Sequence, residues 1–453
     1  MAKKSSQFAT KIGLIAATVG SAVGLGNIWR FPAEVQANGG AAFLLVYVLC
    51  VLILGIPVML AEFALGRAGR SDAVGAFKNL GASRPWWLVG GLAILASYLI
   101  LSFYMVVAGW TIEYLWQSIT GGLFDHSVVP AGENNFAYKM ELFIARPVAP
   151  LVNTFIMIVI NLIVLLGGVQ KGIERMSNVM MPLLFLILLI FLGESLTLPG
   201  AAKGVEFFLN PDFSKITPGV VLNALGQAFF SLSLGMGILI TYSSYFPKNT
   251  NLPRTALTVA VLDMIVAIMM GLIIFPAVTS FGLQGDDMRG AALVFITLPE
   301  VFEQMHFTRL WAILFFLLLS VAALTSTISI AEVSVAFIRD RFRIARWNAC
   351  LVVLLPLFVF SALCSLSMGP LESVRIAGFN IFDFLDNVAT NIMLPVGSIF
   401  LCIYVGWFAP KNMLHNQLTN NCTIRSMLYA PVLAIIRYVA PLLIALVLFS
   451  YFF

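Results

Sequence analysis

Charge is scarce in this sequence. Only 10% of its 453 residues are Asp, Glu, Lys or Arg, whereas 60% are hydrophobic. Soluble domains of ordinary composition carry about 25% charged residues. An aqueous fold could not bury so much apolar surface. The composition therefore excludes a soluble globular domain and predicts a protein embedded in a lipid bilayer.

Cysteine and histidine are also few. The five cysteines contain no CxxC pair, and the three histidines lie far apart. This spacing predicts neither a disulfide framework nor a zinc site. His-Glu-x-x-His and Gly-x-Ser-x-Gly are both absent, so an intramembrane enzyme is not indicated. The basic residues sit in short loops rather than on one face, which does not favour nucleic-acid binding.

Long apolar runs dominate instead. A membrane-spanning helix needs about 20 apolar residues. We predict eleven spans, at about 12–34, 41–66, 88–118, 149–167, 174–193, 218–244, 255–282, 309–337, 347–367, 380–407 and 427–452. The predicted fold is an all-α polytopic membrane protein with a single transmembrane domain, 1–453.

Lys and Arg are unevenly divided between the two sets of loops. Loops on the side of the N-terminus hold seventeen, and loops on the other side hold seven. Basic loops remain in the cytoplasm. We therefore predict a cytoplasmic N-terminus, a C-terminus outside, and a location in the cell inner membrane.

Two predicted spans are interrupted by glycine. The first holds Gly20, Gly24 and Gly26, and the sixth holds Gly226 and the run Phe229–Gly237. They would be the first helices of two five-span halves, 12–193 and 218–407, followed by an additional helix, 427–452. Because five is odd, the halves would be inverted. Matching breaks in inverted halves indicate a transporter binding site, although Gly20-x-x-x-Gly24 alone would equally fit a helix-packing motif.

Broken helices carry a particular chemistry. Unwound backbone is tolerated at mid-membrane only where it lines a cavity or binds something. Its carbonyl groups suit sodium, and exposed helix N-termini suit a carboxylate. Such a site could hold sodium and an amino acid together.

Three charged residues within the spans are candidates for function. Arg30 follows the first break, and Asp386 could pair with it to seal the outer side of the site, the alternative being a static ion pair. Asp263 lies inside the seventh span, where a lone carboxylate should protonate or bind a cation. A hydrogen bond to a neighbouring helix is the alternative.

Several motifs together resemble the neurotransmitter:sodium symporter family over nearly the whole chain. They are Gly24-Leu-Gly-Asn-Ile-Trp-Arg-Phe-Pro32, Asn38-Gly-Gly40, Lys171-Gly-Ile-Glu-Arg175, Gln227–Gly235 and Ala322-Ala-Leu-Thr-Ser326. The resemblance implies a LeuT-like 5+5 inverted repeat with helices 1 and 6 broken. The eleven-span length is similar to that of bacterial multi-hydrophobic amino-acid transporters without a twelfth helix.

The resemblance also implies the site residues. The first sodium site would comprise Ala22, Asn27, Ser231 and Asp263, together with the substrate carboxylate. The second would comprise Gly20, Val23, Ala322, Thr325 and Ser326. The substrate pocket would be lined by Leu25, Gly26, Ile100, Tyr104, Phe230, Ser231, Ser233, Met236, Ser326 and Ile330. Tyr104 would hydrogen-bond the carboxylate and would form the outer lid with Phe230, below Arg30 and Asp386.

Two positions refine the expected substrate. Monoamine-transporting members carry an aspartate where this chain has Gly24, so glycine leaves room for a substrate that brings its own carboxylate. Met236 replaces an aromatic residue of leucine-selective members, and its thioether adapts to several shapes. We expect sodium-coupled import of hydrophobic L-amino acids, aliphatic and aromatic.

Three features differ from the common pattern or concern movement. Asp263 stands where many members of the family have asparagine. It lies near the positions that bind chloride in chloride-dependent members, Tyr47, Gln227 and Ser231. Because its carboxylate could supply the negative charge that chloride brings in those members, we expect chloride-independent transport. Asp340 matches an inner-gate acid, but the usual Arg-x-x-Trp is missing and Lys4 is the candidate partner. Gly172 and Pro182 match a hinge that would let the fifth span unwind.

The expected ligands are two sodium ions and the amino acid, with no organic cofactor and no nucleic acid. A monomer should suffice for function. Competing hypotheses are a proton-coupled amino-acid carrier of the same fold with Asp263 as its proton site, a channel, and a non-transporting amino-acid sensor.

Overall fold

The computed structural model describes residues 7–81, 85–127, 129–130, 132–282, 290–424 and 428–451. Within these ranges the chain is helical, and its β structure is one isolated bridge between Ile376 and Phe379. Predicted all-α architecture is thereby confirmed.

Nine helices of the described residues are long and apolar enough to cross a membrane, and one bent pair makes a tenth span. We number the membrane helices, including the two short halves of the sixth span, in chain order. They are α1 (Lys11–Ala22), α2 (Gly26–Ala37), α3 (Ala41–Gly69), α4 (Trp87–Thr120), α5 (Val148–Leu166), α6 (Val169–Thr197), α7 (Pro218–Ser231), α8 (Ile238–Ser244), α9 (Leu252–Phe281), α10 (Thr308–Phe342), α11 (Arg346–Leu366), α12 (Ile381–Phe408) and α13 (Tyr429–Ser450). Shorter helices in the connections are Ala73–Asn79, Asn135–Ala145, Ala201–Leu209, Leu298–Gln304 and Met413–Leu418.

The first predicted span is broken as the glycines indicate. Helix α1 ends at Ala22, Val23 is extended, and α2 leaves at an angle of 53°. We call residues 23–25 the first break. The opening turn of α2, Gly26–Arg30, is a π-helical turn. The chain therefore changes direction where backbone groups lack helical partners.

The sixth predicted span is interrupted later than Gly226. That glycine lies inside α7, which continues to Ser231, and α8 starts at Ile238. We call residues 232–237 the second break. Ser233, Gly235 and Gly237 adopt left-handed backbone conformations there. Such conformations favour glycine, which occupies two of the three positions. Because α7 and α8 are each short, an eleventh span remains a prediction.

Helix α10 forms the centre of the molecule. Its side chains are buried from Val321 through Ala336 without interruption. It packs against α4, α6, α11 and α1, while α3 packs against α8. The two breaks are thereby enclosed by long helices, which shields their backbone from lipid.

The assignment of 12–193 and 218–407 as inverted repeats stays a prediction.

One face of the molecule, which we call the N-terminal face, is closed by the start of the chain. Phe8 packs against the rings of Tyr242, Tyr245 and Phe246. The carboxylate of Glu174 accepts hydrogen bonds from the amides of Ala9 and Thr10, at 2.8 and 3.0 Å. These contacts fasten the beginning of α1 to α6 and α8.

Candidate functional site

The start of α2 meets α9 through a buried polar network. Asn27 Nδ2 donates to Asp263 Oδ1 at 2.8 Å and to Ser231 Oγ at 3.2 Å. Ser231 Oγ in turn donates to Asp263 Oδ2 at 2.6 Å. Tyr47 donates to Ser231 Oγ at 3.2 Å. Three predicted ligands of the first sodium site, from α2, α7 and α9, are thus in direct contact.

The Asp263 carboxylate has no cationic partner. It is fully buried, and no ion pair within the described residues includes it. Burying a carboxylate is unfavourable unless a positive charge or a proton compensates it. The site is therefore built for a cation or a proton.

Two amide oxygens of this region also lack partners among the described residues, one on Asn27, which contacts Asp263, and one on Gln227, whose nitrogen donates to the carbonyl of Gly26 at 3.2 Å. They are Asn27 Oδ1 and Gln227 Oε1, both buried. Buried polar atoms of native proteins are nearly always satisfied. An amide oxygen and a carboxylate oxygen are ligands that suit a hard cation. Ala22, the fourth predicted ligand, is the last residue of α1, and the carbonyl groups at a helix C-terminus have no intrahelical partner.

The predicted second sodium site lies between α1 and α10. Ser326 Oγ lies 3.3 Å from the carbonyl oxygen of Val23. A Cβ atom on Gly20 would stand 3.4 Å from Cβ of Thr325. Thr325 Oγ1 bonds back to the carbonyl of Ala322 at 3.0 Å. The five predicted residues are thus brought together, although the hydroxyl of Thr325 is also explained by its own helix.

Two hydroxyl groups pack closely against the backbone at Gly24. The N–H of Leu25 donates to the hydroxyl of Tyr104 at 3.0 Å. A Cβ atom on Gly24 would collide with Ser326 Oγ and lie 2.9 Å from the hydroxyl of Tyr104. Hydroxyl groups from α4 and α10 therefore converge on a position that admits no side chain.

The apolar residues predicted for the substrate pocket lie in the interior of the protein. Ile100, Met236 and Ile330 are buried. The second break, which carries Met236, is fixed by side chains from other helices. Glu62 accepts from the N–H of Gly235 at 2.7 Å, and Ser97 Oγ bonds to the carbonyl of Met236. Ser233 Oγ donates to the carbonyl of Ser21 at 2.9 Å, which joins the second break to the last turn of α1.

A cavity of about 620 Å³ leads from this region to the face opposite the N-terminal face. We call it the vestibule. Its walls include Leu25, Tyr104, Phe230, Arg30 and Asp386. The two predicted lid residues, Tyr104 and Phe230, therefore border the same cavity as Arg30 and Asp386.

The predicted Arg30–Asp386 pair is not formed in this structure. The guanidinium of Arg30 lies 4.5 Å from the ring centre of Phe230 and 4.0 Å from the carboxylate of Glu34. Asp386 accepts a hydrogen bond from Thr390 at 2.8 Å. Both residues line the vestibule, and their role as an outer gate stays a prediction.

At the N-terminal face, Asp340 contacts its neighbour Arg339 at 2.8 Å, and the predicted partner Lys4 lies outside the described residues. A stronger pair nearby was not predicted. The buried carboxylate of Glu332 binds Arg346 at 2.6 Å and accepts from Tyr245 at 2.8 Å. The sequence placed Glu332 inside a span but gave no indication of its partner.

The predicted hinge lies next to α1. Gly172 belongs to the π-helical turn Val169–Glu174, and Pro182 lies inside α6. A Cβ atom at position 172 would collide with the carbonyl of Val164. This close approach explains the glycine without movement, so the hinge role stays a prediction.

Known proteins are similar to this chain in both sequence and fold. The model of the sodium:neurotransmitter symporter family matches residues 5–130 and 134–453. An uncharacterized sodium-dependent transporter of Bacillus subtilis, YhdH, is 38% identical over 98% of this chain and 97% of its own length. An uncharacterized sodium-dependent transporter of Haemophilus influenzae is 34% identical over 100% of this chain and 99% of its own. The crystal structure of MhsT in complex with L-phenylalanine matches with a TM-score of 0.88 and 42% identity, covering 98% of this chain and 99% of MhsT.

Proposed function

Because this chain belongs to the sodium:neurotransmitter symporter family of membrane transporters, we propose that it imports hydrophobic L-amino acids together with sodium. The observation that carries this proposal is the uncompensated carboxylate of Asp263 beside the unpartnered Asn27 Oδ1. Sodium bound there would satisfy both groups. MhsT, which was crystallised with L-phenylalanine, supports an amino acid as the partner of sodium.

The substrate carboxylate would lie beside the first break, next to Gly24 and Leu25. There it would meet the hydroxyl of Tyr104 and the amide end of α2, and it would complete the first sodium site beside Asn27. The negative charge of the substrate carboxylate would offset the positive charge of sodium in a site without water. Sodium and substrate would therefore strengthen each other's binding.

The substrate side chain would extend between Ile100, Met236 and Ile330. These residues offer no charged partner, so polar side chains would lose their hydration without compensation. Met236 on the second break can adopt several rotamers. We propose that the pocket accepts both aliphatic and aromatic side chains.

Chloride would not be required. The carboxylate of Asp263 would supply a fixed negative charge. It accepts a hydrogen bond from Ser231 and contacts the hydroxyl of Tyr47. A mobile anion at the same place would be repelled by this carboxylate.

Transport would proceed by alternating access. With the N-terminal face in the cytoplasm, as the distribution of Lys and Arg predicts, the vestibule opens outward. Closure would bring Arg30 to Asp386 above Tyr104 and Phe230. Release would follow when α1 leaves the N-terminal face and the second sodium site opens beside Gly172. Each sodium charge that crosses adds about 2.3 kcal/mol per 100 mV of inward-negative potential.

A proton-coupled carrier is the second candidate, because a proton on Asp263 would also relieve its buried charge. Uptake of a panel of radiolabelled L-amino acids into proteoliposomes separates the two. We expect accumulation of phenylalanine, tryptophan, leucine and valine with an inward sodium gradient. Accumulation driven by a pH gradient without sodium would favour the proton carrier. Binding of these amino acids with no uptake under either gradient would favour a sensor.

A further inference from the structure

Arg437 is the one arginine in the interior of helix α13, and the transport cycle gives it no task. It lies in the π-helical turn Ile435–Val439. No ion pair within the described parts of the chain includes it. An arginine inside a membrane helix is costly unless an anion, water or a polar group meets it. Its environment therefore calls for an explanation.

One guanidinium nitrogen has a structural partner. Arg437 Nε donates to the carbonyl oxygen of Gly406 at 2.6 Å. In an α-helix this carbonyl would bond to the N–H of the residue four positions on. That residue is Pro410, which has no N–H. Arg437 therefore satisfies a carbonyl that the end of α12 leaves free.

Helices α12 and α13 are shaped to bring the arginine to this carbonyl. A Cβ atom on Gly406 would stand 2.8 Å from Cγ of Arg437, so glycine permits the close approach. The side chain continues over the ring of Trp407, with Cζ 5.2 Å from the ring centre. The guanidinium is thereby held between a backbone carbonyl and an aromatic face.

The other two guanidinium nitrogens, Nη1 and Nη2, have no hydrogen-bond partner within the described residues. A guanidinium offers its donors as a planar fork that matches phosphate or carboxylate oxygens. With Nε occupied, the Nη pair remains for an acceptor from outside the chain. The positive charge also remains uncompensated.

The surroundings identify where that acceptor would come from. Trp407 is 54% exposed, Tyr438 60% and Leu442 62%, and the rings of Trp407 and Tyr438 meet edge to face at 5.4 Å. Tryptophan and tyrosine with exposed apolar neighbours are typical of the membrane–water interface. The surface around Arg437 therefore faces lipid rather than an aqueous cavity.

The depth of the guanidinium agrees with this position. Arg437 lies eight residues, or about 12 Å, inside α13 from Tyr429. Trp407, however, is the residue before the end of α12, which marks the same face of the membrane. A Cβ atom on Gly406 would stand 3.3 Å from Cα of Arg437, so the backbone of Arg437 itself lies at the level of this helix end. Lipid phosphate groups lie at that level.

We propose that Arg437 and Trp407 form a binding site for the phosphate of an anionic phospholipid. The phosphate would accept from the free Nη groups, while the acyl chains would lie against Tyr438 and Leu442. The site would join α12, which carries Asp386, to α13 through a bound lipid. This inference does not depend on which substrate is transported.

Native mass spectrometry of the purified protein tests the proposal. Phosphatidylglycerol and phosphatidylcholine with identical acyl chains are added separately, and the retained lipid is counted. We expect the wild type to retain phosphatidylglycerol at least several-fold better. Arg437→Gln keeps an amide donor for Gly406 but removes the charge, and it should reduce retention to the phosphatidylcholine level. Arg254→Gln, which removes an exposed arginine elsewhere, should leave the preference unchanged.

Other outcomes would overturn the proposal. They are equal retention of both lipids by the wild type, an unchanged preference in Arg437→Gln, or a dimer that excludes lipid at this surface and is lost in Arg437→Gln. Displacement of phosphatidylglycerol by millimolar glycerol phosphate would assign the site to a soluble phosphate instead. If Arg437→Gln does not fold, Trp407→Leu is measured in its place. It should also lower phosphatidylglycerol retention, and an unchanged value would contradict the site.

Discussion

The side-chain amide of Asn27, at the start of helix α2, donates a hydrogen bond to the carboxylate of Asp263 in helix α9 at 2.8 Å. This bond uses the nitrogen of the amide and leaves its oxygen without a partner among the described residues. The amide oxygen of Asn27 thus remains available to a ligand, next to a carboxylate that has no ion pair among the described residues. The geometry makes Asp263 the residue on which the sodium hypothesis depends most.

Removing this carboxylate should weaken both ligands. For Asp263→Ala we expect the apparent sodium affinity to fall about 10- to 100-fold, as when an important group of a metal site is lost. Because sodium and substrate share the site, phenylalanine binding at fixed sodium should fall as well. Sodium titration of radiolabelled phenylalanine binding measures both effects. Asp212→Ala, which removes an exposed loop carboxylate, is the control, and an unaltered titration for Asp263→Ala would remove this residue from the site.

Chloride should have no effect on the wild type. The carboxylate of Asp263 contacts Ser231 and Tyr47, where it would supply the negative charge proposed to replace chloride, and the buried Ala267 has no polar side chain. Uptake into proteoliposomes should be the same when gluconate replaces chloride at constant sodium. A collapse of uptake in gluconate would show that Asp263 does not take the place of chloride.

The backbone at Gly24 should tolerate no side chain. A Cβ atom there would collide with Ser326 Oγ and crowd Tyr104, beside the space proposed for the substrate carboxylate. Gly24→Ala should therefore reduce phenylalanine binding at least tenfold. Gly193→Ala is the matched control, because a Cβ atom at that exposed helix position meets nothing within 4 Å. Equal binding by the two variants would place the carboxylate elsewhere.

The width of the apolar pocket should depend on Met236. A phenylalanine at this position is more rigid and fills more of the space beside Ile100 and Ile330. Met236→Phe should raise KM for tryptophan and phenylalanine about tenfold, while KM for valine changes by less than threefold. Competition uptake with these amino acids measures the ratio. A uniform change across all substrates would indicate a role in folding rather than selectivity.

The sequence predicted the broken helices well because glycine patterns carry a direct physical meaning. Gly24 and Gly26 stand where a Cβ atom would meet Ser326 or Phe230, so their identity follows from the packing. The position of the second break was less predictable. Gly226 lies in a regular helix, whereas Ser233 adopts a left-handed conformation without being glycine.

Other features had no adequate signal in the sequence. The state of the Arg30–Asp386 gate depends on conformation, and one sequence is compatible with both states. Ser97 holds the second break and Glu174 holds the start of α1, each through hydrogen bonds to backbone groups. Backbone groups of this kind occur in residues of every type, so the sequence does not mark the partner. The π-helical turns, such as Gly26–Arg30, have no distinctive composition. Long-range partners of this kind come from the packing of helices rather than from local pattern.

The central claim is that sodium and an amino-acid carboxylate bind one shared site. Its most direct test is equilibrium binding of phenylalanine to the purified wild type in sodium, potassium or choline chloride, with phenethylamine as the analogue without a carboxylate. We predict saturable phenylalanine binding only in sodium, an apparent sodium affinity that increases with phenylalanine concentration, and no competition by phenethylamine. Equal binding of phenylalanine in choline and sodium, or full competition by phenethylamine, would contradict the account.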